Sequence, residues 1–272
     1  HCGLGIPAEP LFRSGVDDFM GFLEQVYAKF KELPGKEKRQ YSYIPAVAYG
    51  AAKAAALDMR LIFPGMQEEK DSKLSKAVEL IKQEYKASND KKGAQLVFSD
   101  IFNPRSMATL NAFMQGEEVD FGNITYGKGS SEEDEDELER KSMLFSDLKK
   151  KLIAAGIPES EIVMVSDAKT DAQREALFER VNAGDVRILM GSSAKMGVGV
   201  NVQRKLVALH HLDSPWVPAD VEQREGRIIR FGNENPEVTL YRYAMEKTLD
   251  AAIFSKTVRK AKFIWQVMAG KL

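Results

Sequence analysis

Residues 161–193 read EIVMVSDAKTDAQREALFERVNAGDVRILMGSS. Apolar residues crowd into 161–166 and again into 186–191, both of strand length, and 171–183 between them has the pattern of an amphipathic helix. Strand, helix and strand in so short a stretch predict a βαβ unit, in which a right-handed crossover sets the two strands parallel. The rhythm extends both ways. A strand at 95–101 and a helix at 142–155 precede this unit; a strand at 205–212, a helix at 218–229, a strand at 238–243 and a helix at 248–268 follow it. Such alternation predicts an α/β fold, an open parallel sheet flanked by helices.

Upstream the pattern is helical. Val16, Phe19, Met20, Leu23, Val26 and Phe30 recur at helical spacing over 14–32 until Pro34-Gly35 stops them, and 46–59 is an alanine-rich helix. A third helix starts after Asp71-Ser72 and lines up Leu74, Ala77, Val78, Ile81 and Tyr85. The expected organisation is a helical N-terminal segment, 1–90, and an α/β lobe, 91–272. Between the first strand and its helix, 103–141 forms an insert ending in the glycine, serine and acid run 127–139, whose composition predicts a mobile loop.

With 44% hydrophobic and 29% charged residues the composition is that of an ordinary globular protein. No apolar run approaches the roughly 18 residues needed to cross a bilayer, so no membrane partner is expected. The single Cys2 cannot form an internal disulfide, which fits a cytoplasmic setting, and three histidines, at 1, 210 and 211, exclude a structural Cys/His zinc site; no metal site is expected. A start at His1 without Met suggests a cut from something longer. Net charge is −1, but seven acidic residues fall between Glu132 and Glu139, leaving the remainder net positive. A basic face is thereby allowed, and so is an ordinary solvated surface.

Ligands of open parallel sheets gather beyond the carboxyl ends of the strands. Two exits stand out. After the strand at 186–191 comes Ser192-Ser193-Ala194-Lys195-Met196-Gly197-Val198-Gly199-Val200-Asn201. Gly197 and Gly199 permit a tight turn and close backbone approach, and Ser192, Ser193, Lys195 and Asn201 offer donors to phosphate; a simple glycine turn is the other reading. After the strand at 205–212, LDSPWVPADVEQREGRIIRFG places Gln223, Arg227 and Arg230 at steps of four and three, on one face of the expected helix. Glycine inside a helix costs about 1 kcal/mol against alanine, so Gly226 implies close packing or a bend at the helix end. A solvated arginine-rich helix is the alternative, but it gives no reason for glutamine and two arginines to share a face.

These strings resemble the motifs of superfamily 2 helicases. QREGRIIRFG is similar to their QxxGRxxR motif VI, GSSAKMGVGVN to motif V, LVFSDI to motif IV, and VSDAKTDAQREALFERVNAGDVRILMGSS to the unit joining IV to V. LDSPWVPADVEQREGR resembles the stretch before motif VI in Swi/Snf-type ATPases, and the likeness, running from about Ala51 to Leu272, is closer still to large phage and plasmid antirestriction proteins that fuse a DNA methylase to such a helicase. The resemblance implies a RecA-like C-terminal lobe of an ATP-dependent DNA helicase or translocase, cytoplasmic and encoded by a bacterium, phage or plasmid. It implies that Arg227 and Arg230 reach an ATP gripped mainly by another lobe, an effect worth about 10³ to 10⁵ in rate. Gln223 would help position the γ-phosphate or its water, and Gly197, Gly199 and Asn201 would couple nucleotide state to DNA. Ser99, Ser166, Asp167, Ser192, Ser193 and Lys195, at strand ends, would contact phosphates of the tracked strand. Trp216 reads as core.

Two departures accompany the likeness. No GxxxxGK[ST] phosphate loop and no strand ending in an acidic pair occurs in the sequence, so ATP and magnesium would be held by an upstream lobe of a longer protein, and this chain would not hydrolyse ATP alone. An insert at 103–141 stands where helicases have a short loop. Two other readings compete. A methyltransferase lacks support, because neither an NPPY-like tetrapeptide nor a glycine-rich cofactor loop is present; a catalytically inert scaffold lobe binding DNA or protein would leave two phosphate-facing arginines unexplained.

Overall fold

The computed structural model describes residues 15–63, 65–69, 72–101, 106–117, 143–196, 201–213, 215 and 218–245. Four helices come first: α1 (Val16–Glu32), α2 (Gly35–Gln40), α3 (Ile44–Leu57) and α4 (Lys73–Ala87). The alternating part follows as β1 (Ala94–Phe98), α5 (Ser106–Gln115), α6 (Met143–Ala154), β2 (Ile162–Met164), α7 (Asp171–Ala183), β3 (Ile188–Gly191), α8 (Ser193–Met196), β4 (Leu206–His211), α9 (Pro218–Glu225) and β5 (Thr239–Arg242). All five expected strands form. They pair in the order β2-β3-β1-β4-β5, every neighbour parallel, so their carboxyl ends share one edge.

Alternation along each strand sorts the core into two layers. Val97, Ile162, Met164, Ile188 and Met190 face one side, in one cluster with Phe19 and Val26 of α1, Val47 and Ala51 of α3, Leu74 and Ile81 of α4, and Leu144, Phe145 and Leu148 of α6. Leu96, Phe98, Leu189 and Leu209 face the other and meet Leu177 and Val181 of α7, Met196 and Ile228. The N-terminal helices thus bury their apolar stripes directly on the sheet. α7 spans the residues its spacing dictated because both ends are signed: Thr170 Oγ1 accepts from the Gln173 amide at 3.2 Å while Gln173 Oε1 accepts from the Thr170 amide, and Gly184 closes the helix at φ 82°.

Two expectations need correcting. Within the stretch read as a loop, residues 106–115 are helical: Leu110 and Phe113, three apart, are buried against α1 and α3, and Lys29 Nζ donates to the carbonyls of Phe113 and Met114 at 2.9 and 2.8 Å, satisfying the helix end. The run 127–139 lies outside the described residues. Moreover, α9 stops at Glu225 instead of reaching 229. Beyond it the chain tightens, with Arg227 and Ile228 amides donating to the carbonyls three residues back, and Gly226 marks the change. The expected helix at 248–268 also lies outside the described residues.

The sheet is further tied by buried polar side chains. Arg187, just before β3, spends its guanidinium on the carbonyls of Gly93 and Tyr85, Asn89 Oδ1 and Ser88 Oγ. His210 on β4 is fully buried, its Nε2 bonded to Gln95 Oε1 at 2.9 Å and its Nδ1 to the Tyr243 hydroxyl at 2.7 Å, with the Tyr241 ring stacked on it at 4.7 Å. Burial, with His211 beside it, pulls its pKa down to about 3, so the ring is neutral.

Candidate functional site

The carboxyl edge of the sheet collects the exits of β1, β3 and β4 together with α9, and its deepest group is one the sequence pattern did not single out. Arg224, in the last turn of α9, is 1% exposed, and its five N–H bonds all find acceptors. Nε donates to Ser193 Oγ at 2.6 Å; one terminal nitrogen reaches the Asp213 carbonyl at 3.2 Å and His211 Nδ1 at 3.4 Å; the other reaches Asp100 Oδ2 at 2.6 Å and Asp213 Oδ1 at 3.1 Å. Asp213, entirely buried, takes a second cation from α3: Lys53 Nζ lies 2.9 Å from its Oδ2. Burial opposes ionisation of Asp213, yet Arg224 and Lys53 outweigh it and hold the carboxyl below the usual range; the same carboxylates keep Arg224 charged against its own burial. Asp100 completes the circuit by accepting from the Ser193 amide at 2.7 Å and hydroxyl at 2.9 Å.

Outside this circuit the other two arginines have a different character. Arg230 is exposed and donates to Asn201 Oδ1 at 2.9 Å, which brings together one member of each sequence-selected string. Arg227 is half-buried; among the described residues it forms no ion pair and its buried Nε has no hydrogen-bond partner. Burial first, and the Arg230 charge second, depress its pKa. Two neighbouring guanidinium groups, one with an unsatisfied donor, form a cationic corner whose electrostatic cost an anion would relieve. Gln223 is exposed on α9; because that helix ends at Glu225, the two arginines reach the corner from turns instead of from one continuous helical face.

The remaining expected residues divide by burial. Ser99, Ser166 and Ser192 are buried: Ser99 Oγ accepts from the Ile101 amide at 3.2 Å, and Ser192 Oγ from the Lys195 amide at 3.4 Å. Asp167 is exposed at the end of the 3-10 turn after β2, while Ser193 and Lys195 are partly exposed on α8. Gly197, Gly199 and Trp216 lie outside the described residues. Among the described residues no group of three His, Cys, Asp or Glu side chains is placed to hold a metal ion, and no helix is long and apolar enough to cross a membrane.

Residues 134–232 match the family model for the helicase conserved C-terminal domain. The fold is that of a helicase C-terminal lobe. The C-terminal part of the Fun30 ATPase domain superposes on it with a TM-score of 0.50 at 14% identity, covering 88% of this chain and 83% of that one. The DUF1998 helicase MrfA, bound to DNA and AMPPNP, aligns at a TM-score of 0.43 and 15% identity, over 72% of this chain and 20% of its own. In sequence, Defense against restriction protein B of Escherichia phage P1 is 34% identical over 74 residues; these cover 27% of this chain and only 3% of the phage protein. The cationic corner and most of the Arg224 circuit lie inside the matched segment of the helicase lobe, whereas Lys53 and Asp100 lie outside it.

Proposed function

We propose that this chain is the second motor lobe of an ATP-dependent DNA helicase or translocase of the Swi/Snf-like branch, part of a longer cytoplasmic protein in which a DNA methylase accompanies the motor. In this reading 91–272 is the RecA-like lobe and 1–90 a helical segment leading into it. The observation that carries the proposal is the contrast between the arginines. Arg224 is saturated by carboxylates and carbonyls, while Arg227 sits beside Arg230 with a buried donor unsatisfied, the arrangement expected where a polyphosphate is to bind.

ATP, held with magnesium mainly by the upstream lobe, supplies the phosphoryl group whose transfer to water releases the free energy. The chain's own part is electrostatic. Arg227 and Arg230 offset the charge that develops on the terminal oxygens, and Gln223 orients the attacking water. Asn201 holds Arg230 through its side-chain oxygen, and with Gly197 and Gly199, which precede it in sequence, it couples nucleotide state to DNA. Lys195 and Ser193 contact DNA phosphates at the strand ends through their side chains; Asp167 stands exposed beside them, its carboxylate a partner for donors and not for phosphate, and Ser99, Ser166 and Ser192, buried whole, would join them only where the edge opens. The 34% identity over 74 residues to the phage restriction-defence protein supports the wider antirestriction context.

The test is DNA-stimulated ATP hydrolysis by the longer protein containing this chain. Arg227→Ala and Arg230→Ala should each lower turnover by about 10³ or more. Full activity in both variants would refute the motor assignment.

A further inference from the structure

The circuit around Arg224 carries an inference that rests on the motor reading. Ser193 opens α8, on the segment that runs into 197–201, and it gives its hydroxyl to Arg224 and Asp100 together. Arg224 adjoins Gln223 in sequence and lies in the last turn of α9, just ahead of the turn that carries Arg227. One buried guanidinium therefore fastens the turn assigned to nucleic acid to the helix assigned to nucleotide. Behind it Asp213 fixes the exit of β4, and Lys53 fixes Asp213 to α3, a contact spanning 160 residues.

We propose that Asp100, Arg224, Asp213 and Lys53 are positioning residues that couple the nucleic-acid turn to the ATP-facing arginines. None touches nucleotide. If a DNA phosphate draws Ser193 aside, Arg224 loses the acceptor for Nε and Asp100 loses two donors; a fully buried charge cannot turn to water for a replacement, so α9 has to shift, and Gln223 and Arg227 move with it. Asp100 is the member at which the circuit opens to solvent, its side chain 39% exposed, which makes it the place to cut the coupling with least damage to the core.

The experiment measures ATP hydrolysis by the longer protein with and without duplex DNA. Asp100→Ala should leave DNA-free turnover within about twofold while reducing DNA stimulation about fivefold or more, the scale of a typical coupling between sites. Lys53→Met should act in the same direction more weakly. Should Asp100→Ala fail to fold, Asp100→Asn keeps an acceptor for the Ser193 amide and removes the charge facing Arg224. Full stimulation in the folded variants overturns the inference, and so does an equal loss of basal and stimulated rates, since that pattern reports stability alone. Arg227→Ala, run alongside, separates the failures: intact hydrolysis there rejects the motor reading itself, whereas lost hydrolysis with normal stimulation in Asp100→Ala rejects only the coupling.

Discussion

Replacing Arg224 by methionine keeps the apolar length of the side chain and removes the guanidinium. Asp213, with no exposed surface, is then left with Lys53 alone and cannot turn to solvent. Truncating one partner of a buried, hydrogen-bonded ion pair costs about 3–5 kcal/mol, mostly from the stranded charge. Stabilities of about 5–15 kcal/mol make that a large fraction of the total. Asp213→Asn should relieve part of the penalty, because the residual charge, Lys53, is already 12% exposed and can swing outward. The Arg224→Met/Asp213→Asn double variant is therefore expected to be more stable than the sum of the two single losses allows. Urea unfolding at neutral pH, with the slope unchanged between variants, measures this directly. A loss below about 1 kcal/mol for Arg224→Met, or strict additivity in the double variant, would show that the circuit is not held by charge as described.

Acid should weaken the fold in a defined window. His210 ionises near 6.5 when unfolded and only at about 3 when buried, so its contribution is complete above pH 6.5 and is lost as pH falls from there toward 3. Stability should drop by roughly 2 kcal/mol between pH 6.5 and 5, and His210→Gln should flatten that slope; an unchanged slope would reject neutral burial. Gly93→Ala would set a Cβ 2.6 Å from Ser88 Cβ and 2.7 Å from a Val207 methyl, and should cost about 1–3 kcal/mol in the same unfolding assay. Gly184→Ala strains the backbone at φ 82° and meets the Lys92 carbonyl oxygen at 2.9 Å; its helix, α7, should lose amide-exchange protection at the C-terminal turn first.

Much of the fold was legible because its signals are local. Four of the five strands are short, largely buried runs, β5 being the exception, and α7 carries its own cap and stop. Helix α5 escaped because SMATLNAFMQ has a narrow apolar stripe and owes its position to a lysine 84 residues away. Sequence reading missed Arg224 for a related reason. Gln223, Arg227 and Arg230 share a face only if the helix continues past Gly226, and grouping them by that spacing drew attention away from Arg224, which points inward. Its partners Asp100 and Asp213 stand 124 and 11 residues off, and Lys53 is 160 residues from Asp213; no periodicity encodes such meetings. By contrast, the contact between Arg230 and Asn201 joins two residues that sequence reading had already set apart.

The two buried guanidinium groups at opposite rims of the sheet answer to different solvents. Arg187 is gripped by carbonyls, an amide and a hydroxyl, with the Tyr85 ring 3.8 Å away, and nothing in that set gains a proton in mild acid. Arg224 depends on the negative charge of two carboxylates, one of them, Asp213, held below the usual range by the cations beside it. Removing those carboxylates should thus loosen the ligand side first while the opposite rim stays stitched. Such a one-sided intermediate would keep its sheet and lose its chemistry.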